Sequence, residues 1–357
     1  FASLRHSDIQ TRQAVDAAER MAGMTVDSII ANVTSGRIKG QTIQASVSLG
    51  NRPVDDSHVS RVTVAAAKRT EAVERKSLHV LPVSYPLDSE HGIRDPRGME
   101  GSQLGLDVHV ITADAAPLRN LELCINRAHL SIEAMVATPY ASGLSVLVDD
   151  EAELGAACID FGGGTTSLSI FSEGHCIHAD AIAIGGNHVT MDLARGLSTR
   201  LEDAEALKAR HGNVLVSSSD DREMVSIRPI SNDPNEEAHQ IPRAVMTRIV
   251  KARVEETLEL VRDRINQSGF GTVVGKRVVL TGGASQLGGL PEAARRILGR
   301  PVRIGRPLGV AGLPEAAKGA AFAASAGLLI YPQMAELEQA SAGYSSGWRM
   351  TGTGGRF

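Results

Sequence analysis

The stretch Asp160-Phe161-Gly162-Gly163-Gly164-Thr165-Thr166 lies between two short apolar runs, Gly155 to Ile159 and Ser167 to Phe171. Both runs read as strands, so the segment between them reads as the turn that joins them. Consecutive glycines let a backbone turn tightly and approach an anion closely. Their amides can form a nest for phosphate oxygens. Asp160, at the strand end, can hold Mg2+ through water, because Mg2+ takes few protein carboxylates and completes its shell with phosphate and water. The bland alternative is a plain glycine-rich hairpin. A hairpin, however, needs one or two special residues, not three glycines after an aspartate.

Downstream, Gly185-Gly186-Asn187 opens a helix that carries Thr190 and Asp192. Small residues at a helix N-terminus favour an anion, although the same pattern also serves as a simple cap. A second helix runs from Glu202 to Arg210. On it Glu205 and Lys208, three residues apart, share a face. They can grip a ribose or an adenine edge, or form an ordinary surface ion pair. Pro242 opens a long helix with the stripe Val250, Val254, Leu258, Val261 and Ile265. The apolar strand Val278 to Thr281 ends in Gly282-Gly283-Ala284. That turn lets a flat ligand lie against the backbone, or is merely a tight strand-to-helix connection.

Upstream, Thr11 to Ala22 reads as a helix stopped by Gly23, and Ser28 to Val33 and Thr42 to Leu49 read as strands. From 53 to 114 the texture changes to a small α+β insert. Asp55 or Ser57 caps a helix ending near Lys68, and two strands flank the polar loop Asp88 to Gly101. Met99 in that loop either faces a protein partner, as an adaptable apolar side chain can, or plugs the insert's own core.

The length of 357 residues points to two or more domains. The net charge is −4 with both signs interspersed, and aromatic residues make up 3%. Nothing here suits nucleic acid, which calls for a basic face and stacking aromatics. Cys124, Cys158 and Cys176 show no Cys-x-x-Cys spacing and fit thiols of a reducing compartment. His175 and His178 on one strand would point to opposite faces, which argues against a shared metal. No apolar run reaches the roughly 20 residues of a membrane span.

In this order, the glycine-rich turn, the second glycine pair, the Glu-x-x-Lys helix and the strand–Gly-Gly resemble the actin-like ATPase superfamily. That superfamily includes heat-shock chaperones, MreB and sugar kinases. The resemblance makes them the second phosphate loop, a phosphate-side turn, the adenine-side helix and the adenosine loop. Within the superfamily the chain is similar to the FtsA family over nearly its whole length. The segments that carry this are Ala14-Val-Asp-Ala-Ala-Glu-Arg-Met-Ala-Gly, Ala65-Ala-Ala-Lys-Arg, Leu78-His-Val-Leu-Pro and Val108-His-Val-Ile-Thr. So do Asn120 to Arg127, Ile184-Gly-Gly-Asn-His-Val-Thr-Met-Asp-Leu-Ala and above all the loop Ile93-Arg-Asp-Pro-Arg-Gly-Met-Glu-Gly.

The resemblance implies an α/β, actin-like (RNase H-like) two-lobed fold, with the insert in place of one actin subdomain. Residues 1–52 and 115–154 would form the first lobe, and 53–114 the insert. Residues 155–197 and 263–332 would form the second lobe, with 198–262 as its smaller subdomain and 333–357 as a flexible linker. Gly319 to Leu328 would be the second connecting helix. The implied cofactors are ATP and Mg2+, held by the glycine segments with Asp160, Glu205 and Lys208. The implied partners are the FtsZ C-terminal tail, further copies of the chain in a filament, other divisome membrane proteins and the membrane surface. The implied place is the cytoplasmic face of the inner membrane at the division septum. Two departures matter. No strand–Asp-x-Gly-[Ser/Thr] turn precedes residue 30, so the first phosphate loop is expected outside this sequence, as is the membrane-binding helix. Trp348 and Phe357 alone bury too little to anchor the chain. Where relatives carry a Glu before a Pro, this chain has Ala137-Thr138-Pro139-Tyr140, and Thr138 cannot act as a general base. At most weak ATPase activity follows. The alternatives are a pilus-assembly actin-like adaptor and a catalytic sugar kinase or phosphatase of the same superfamily.

Overall fold

The computed structural model describes residues 4–50, 52–69, 74–230, 238–275 and 277–342. Its contacts divide the chain into two units. Unit 1 takes Phe1–Ala137 and Ile330–Phe357, and unit 2 takes Thr138–Leu329.

Unit 1 begins with α1 (Leu4–Ala22), β1 (Ser28–Val33) and β2 (Lys39–Ser48). Gly23, with φ +69°, ends α1 by donating its amide to Glu19 O at 2.8 Å. Next come α2 (Asp56–Lys68), β3 (Arg75–Ser84), β4 (Gln103–Asp114), α3 (Ala115–Arg127) and β5 (Ser131–Ala137). β1 and β5 pair in parallel. Their inner face and α1 and α3 enclose Ala31, Ile125 and Leu130.

The insert is an antiparallel sheet with β4 between β2 and β3. β2 pairs with β4 along its whole length, from Lys39 opposite Thr112 to Ser48 opposite Gln103. The insert expected over 53–114 therefore shares its sheet with a strand that starts before 53. The alternation of 42–49 is visible in sequence, but its partner strand is not. Asp55 caps α2, its carboxylate accepting the His58 amide at 3.0 Å and the Ser57 hydroxyl at 2.6 Å. Leu104, Leu106, Val108 and Val110 of β4 join Val59, Val62 and Ala66 of α2 in one core. Met99 packs on that core, and its backbone is tied down by the Val54 amide at 2.9 Å. Of the two readings of Met99, the structure takes the plug.

Unit 2 opens with α4 (Thr138–Val146), α5 (Asp149–Leu154), β6 (Ala156–Phe161), β7 (Thr166–Ser172) and β8 (His175–Ile182). It continues with α6 (Gly186–Gly196), α7 (Leu201–His211), β9 (Met224–Ile227), β10 (His239–Pro242), α8 (Arg243–Gln267) and β11 (Val278–Thr281). The last elements are α9 (Leu290–Leu298), β12 (Val302–Ile304) and α10 (Ala323–Ala342). β6, β7 and β8 form an antiparallel meander, and β11 and then β12 extend the sheet in parallel beyond β6. The whole expected stripe of α8, from Val250 to Ile265, is buried. All three cysteines are buried thiols.

One expectation about the C-terminus changes. α10 runs on to Ala342, so residues 333–342 are helical rather than linker. Gln333-Met-Ala-Glu-Leu-Glu-Gln339 consists of good helix formers. The rest of the expected linker, including Trp348 and Phe357, lies outside the described residues. Among the described residues, no helix is long and apolar enough to cross a membrane.

Candidate functional site

The turn between β6 and β7 is closed by its own backbone. The Gly162 amide donates to Thr165 O at 3.0 Å, and Phe161 pairs with Thr166. The second glycine pair is clipped to this turn. The Gly186 amide donates to Gly162 O at 2.9 Å and the Asn187 amide to Gly163 O at 2.8 Å. A Cβ on Gly185 would sit 2.6 Å from both carbonyl oxygens. The first amides of α6 are therefore engaged by the neighbouring loop. Here the glycine pair fixes one loop on another. The Thr166 hydroxyl donates to Ile184 O at 2.8 Å and tightens the same joint.

Asp160, at the end of β6, is 6% exposed. Burial pushes its carboxyl above the ordinary range, against a hydrogen bond that lowers it. That bond comes from the hydroxyl of Ser142 on α4, itself fully buried. On the other side the Gly282 backbone closes in. A Cβ there would lie 2.3 Å from Asp160 Oδ1, and φ is +86°. Only glycine fits that position. Ser142 was not legible as a site residue, because a lone serine in an apolar helix carries no pattern.

Glu205 and Lys208 meet on α7, with Lys208 Nζ 2.7 Å from Glu205 Oε2. Lys208 Nζ also donates to Gly186 O at 3.1 Å and to Thr190 Oγ1 at 2.8 Å. Burial would raise the Glu205 pKa, but the bonds from Lys208 and Thr190 and the Lys208 charge hold it below the ordinary range.

Of the expected residues, Gly163, Gly186, Asn187, Glu205, Lys208, Gly283 and Ala284 line one cavity of about 390 Å³. Gly212, Gln286 and Leu287 complete much of its wall. That volume suits a small organic ligand. Asp160, Gly162, Gly164, Thr165, Thr166, Gly185 and Gly282 are outside this lining and belong to the loops behind and beside it. Among the described residues, no group of three or more His, Cys, Asp or Glu side chains could by itself hold a metal. His175 lies 2.7 Å from Glu173 O, and His178 packs beside Phe270.

Two family models match the chain. One is described as an SHS2 domain inserted in FtsA and covers residues 35–112; the other is described as Cell division protein FtsA and covers 157–327. The cell division protein FtsA of Agrobacterium fabrum is 62% identical over 327 residues, which is 92% of this chain and 74% of that protein. The chain belongs to the FtsA family. Within the family, the Escherichia coli protein is 31% identical over 333 residues, 91% of this chain and 79% of its own. The SHS2 match starts ahead of β2, in agreement with the sheet that β2 shares with β3 and β4.

Solved structures place this FtsA-family chain in the actin-like fold. A chain of the PilM–PilN type IV pilus biogenesis complex superposes with a TM-score of 0.61 at 16% identity, over 93% of this chain and 86% of that one. MreB5 of Spiroplasma citri bound to ADP gives 0.51 at 16% identity, over 64% and 68%. At such identities the likeness concerns the fold alone. Family membership sets aside the pilus and sugar-kinase alternatives.

Proposed function

We propose that this chain is a cell-division adaptor that binds ATP in the cavity of unit 2, assembles as an actin-like filament and tethers FtsZ to the cytoplasmic membrane. The observation that carries the nucleotide part is convergence. Glycine segments separated by more than a hundred residues, together with Glu205 and Lys208, line one cavity of about 390 Å³. The adaptor part rests on family membership. The FtsZ tail would dock on 198–262, and other divisome proteins would be recruited at the septum.

Mg2+ fits Asp160. A single carboxylate suits a cation that keeps water and phosphate in its shell, and the burial that raises this carboxyl's pKa is a cost that a nearby cation offsets. Bound there, Mg2+ would neutralise phosphate charge. The chain's own residues hold the ligand: the loop backbone takes the phosphate end, and Glu205 of α7 takes the nucleoside end, with Lys208 lining the cavity beside it. Thr138 is buried at the start of α4 and has no proton-accepting chemistry near neutral pH. Nucleotide therefore acts by biasing a filament-competent state, with at most slow hydrolysis.

The test is calorimetry of the full-length protein with ATP, with and without Mg2+. Wild type should bind with a Mg2+-dependent affinity that Asp160→Ala abolishes. Unchanged Mg2+ dependence in that variant would sink the assignment of Asp160.

A further inference from the structure

Lys208 is saturated. Its ammonium has three protons and three acceptors: Gly186 O at 3.1 Å, Thr190 Oγ1 at 2.8 Å and Glu205 Oε2 at 2.7 Å. No donor remains for a ligand, although Lys208 lines the cavity. The Thr190 hydroxyl stands at the centre of this cluster. It is 6% exposed and lies on α6, fifteen residues before Glu205 in the chain.

A threonine inside a helix ordinarily bonds back to the carbonyl four residues earlier. Here that carbonyl, Gly186 O, is 3.2 Å away, while Glu205 Oε2 is only 2.5 Å away. The hydroxyl has one proton. The shorter, charge-assisted contact to the carboxylate takes it. Glu205 Oε2 thus accepts from both Thr190 and Lys208 and is full. The other oxygen, Oε1, makes no hydrogen bond among the described residues, on a side chain that is 54% exposed and lines the cavity.

We infer that Thr190 and Lys208 are positioning residues that pin the Glu205 carboxylate through Oε2, so that Oε1 is left to accept a hydroxyl of the bound sugar. Thr190 thereby sets selectivity for a ribonucleotide over its deoxy analogue. This rests on the nucleotide reading of the cavity. An acceptor held at a fixed place gains its full hydrogen bond only from a ligand that carries the donor at the matching position. A carboxylate free to swing finds water instead and discriminates little.

The experiment measures affinities of the full-length protein for ATP, 2′-deoxy-ATP and 3′-deoxy-ATP by calorimetry, in wild type, Thr190→Val and Thr190→Ser. Wild type should prefer ATP over one deoxy analogue by about tenfold or more, the scale of one hydrogen bond to a charged group. Thr190→Val keeps the side-chain shape and removes the hydroxyl, and should bring that ratio close to one. Thr190→Ser should keep it. Should the valine variant not fold, Lys208→Met reads the same ratio from the other partner of Oε2. A ratio that survives Thr190→Val, or that falls equally in Thr190→Ser, overturns the positioning role while leaving the nucleotide reading intact. Failure of wild type to bind any of the three nucleotides overturns both.

Discussion

The insert of unit 1 and the loop cradle of unit 2 are held together by opposite means. The insert is a side-chain structure. Leucines and valines of β4 pack against α2, and the partly buried Met99 packs on the same core. The cradle is a backbone structure. Its turns are joined carbonyl to amide at Gly162, Gly163, Gly186 and Asn187, and the approach of Gly282 to Asp160 leaves no room for one more carbon. A core of side chains relaxes when an atom is removed. Backbones in contact cannot relax when an atom is added.

The sharpest way to break this contrast is a single methyl group. Gly282→Ala places a carbon 2.3 Å from Asp160 Oδ1 at a φ of +86°. It should cost about 3 kcal/mol or more, summing overpacking and left-handed strain, with nucleotide binding lost. Gly164→Ala, in the same cradle, meets nothing within 4 Å. Its stability should stay within about 0.5 kcal/mol of wild type. Thermal unfolding compares the two, and similar losses would refute a cradle built on backbone contact.

A smaller effect tests the insert. Met99→Ala removes a partly buried side chain and should cost about 1–2 kcal/mol, at the low end for core truncation. The loss should stay local. Hydrogen exchange should quicken at the Val54 amide, bonded to Met99 O, and at the Gly98 amide, bonded to Val54 O. ATP affinity should be unchanged. A fall in affinity would mean that the two regions are not separate structures.

Acid separates the regions most gently. In the insert, the Ser57 hydroxyl and the His58 amide bring the exposed Asp55 carboxyl down to about 2 from 3.8. In unit 2, burial works to raise the Glu151 pKa. The bonds from Arg303 and the Val148 amide, with the charges of Arg303 and Arg277, outweigh it and leave the carboxyl below its ordinary 4.5. Both are lowered in the folded state. Each therefore contributes stability that is present above its unfolded value and lost as pH falls through its folded value. Unit 2 should lose melting temperature below about pH 4.5, and Glu151→Gln should remove that slope. The Asp55 carboxyl, followed by NMR, should titrate only near pH 2. A midpoint near 4 would show that the α2 cap does not form in solution.

Much of this was legible from residues alone. The α8 stripe was, because five apolar residues repeat at helical spacing and all are buried. The turn between β6 and β7 was, because three glycines after an aspartate are costly unless a close approach needs them. Ser142 and Thr190 were different. A single hydroxyl on a helix has no period and no composition. Its meaning comes from a carboxylate brought to it by folding, Asp160 for one and Glu205 for the other. Lys208 was found for its spacing to Glu205, yet its saturation depends on Gly186 O and Thr190 and could not be counted from sequence. The strand β2 alternated plainly, but only pairing with β4 assigned it to the insert's sheet.

The division of the chain has a consequence for how the protein is made. Unit 2 is one unbroken stretch, whereas unit 1 is assembled from a leading segment and the second part of α10. Domains tend to fold as units while the ribosome delivers them in order. The leading segment emerges first but stays incomplete through the whole synthesis of unit 2. Its last piece, Ile330 onward, arrives only after every strand of the cradle's sheet has been translated. The cradle can therefore finish folding before the unit that precedes it in the gene, and a nascent chain stalled short of residue 330 would carry a complete unit 2 beside an unfinished unit 1.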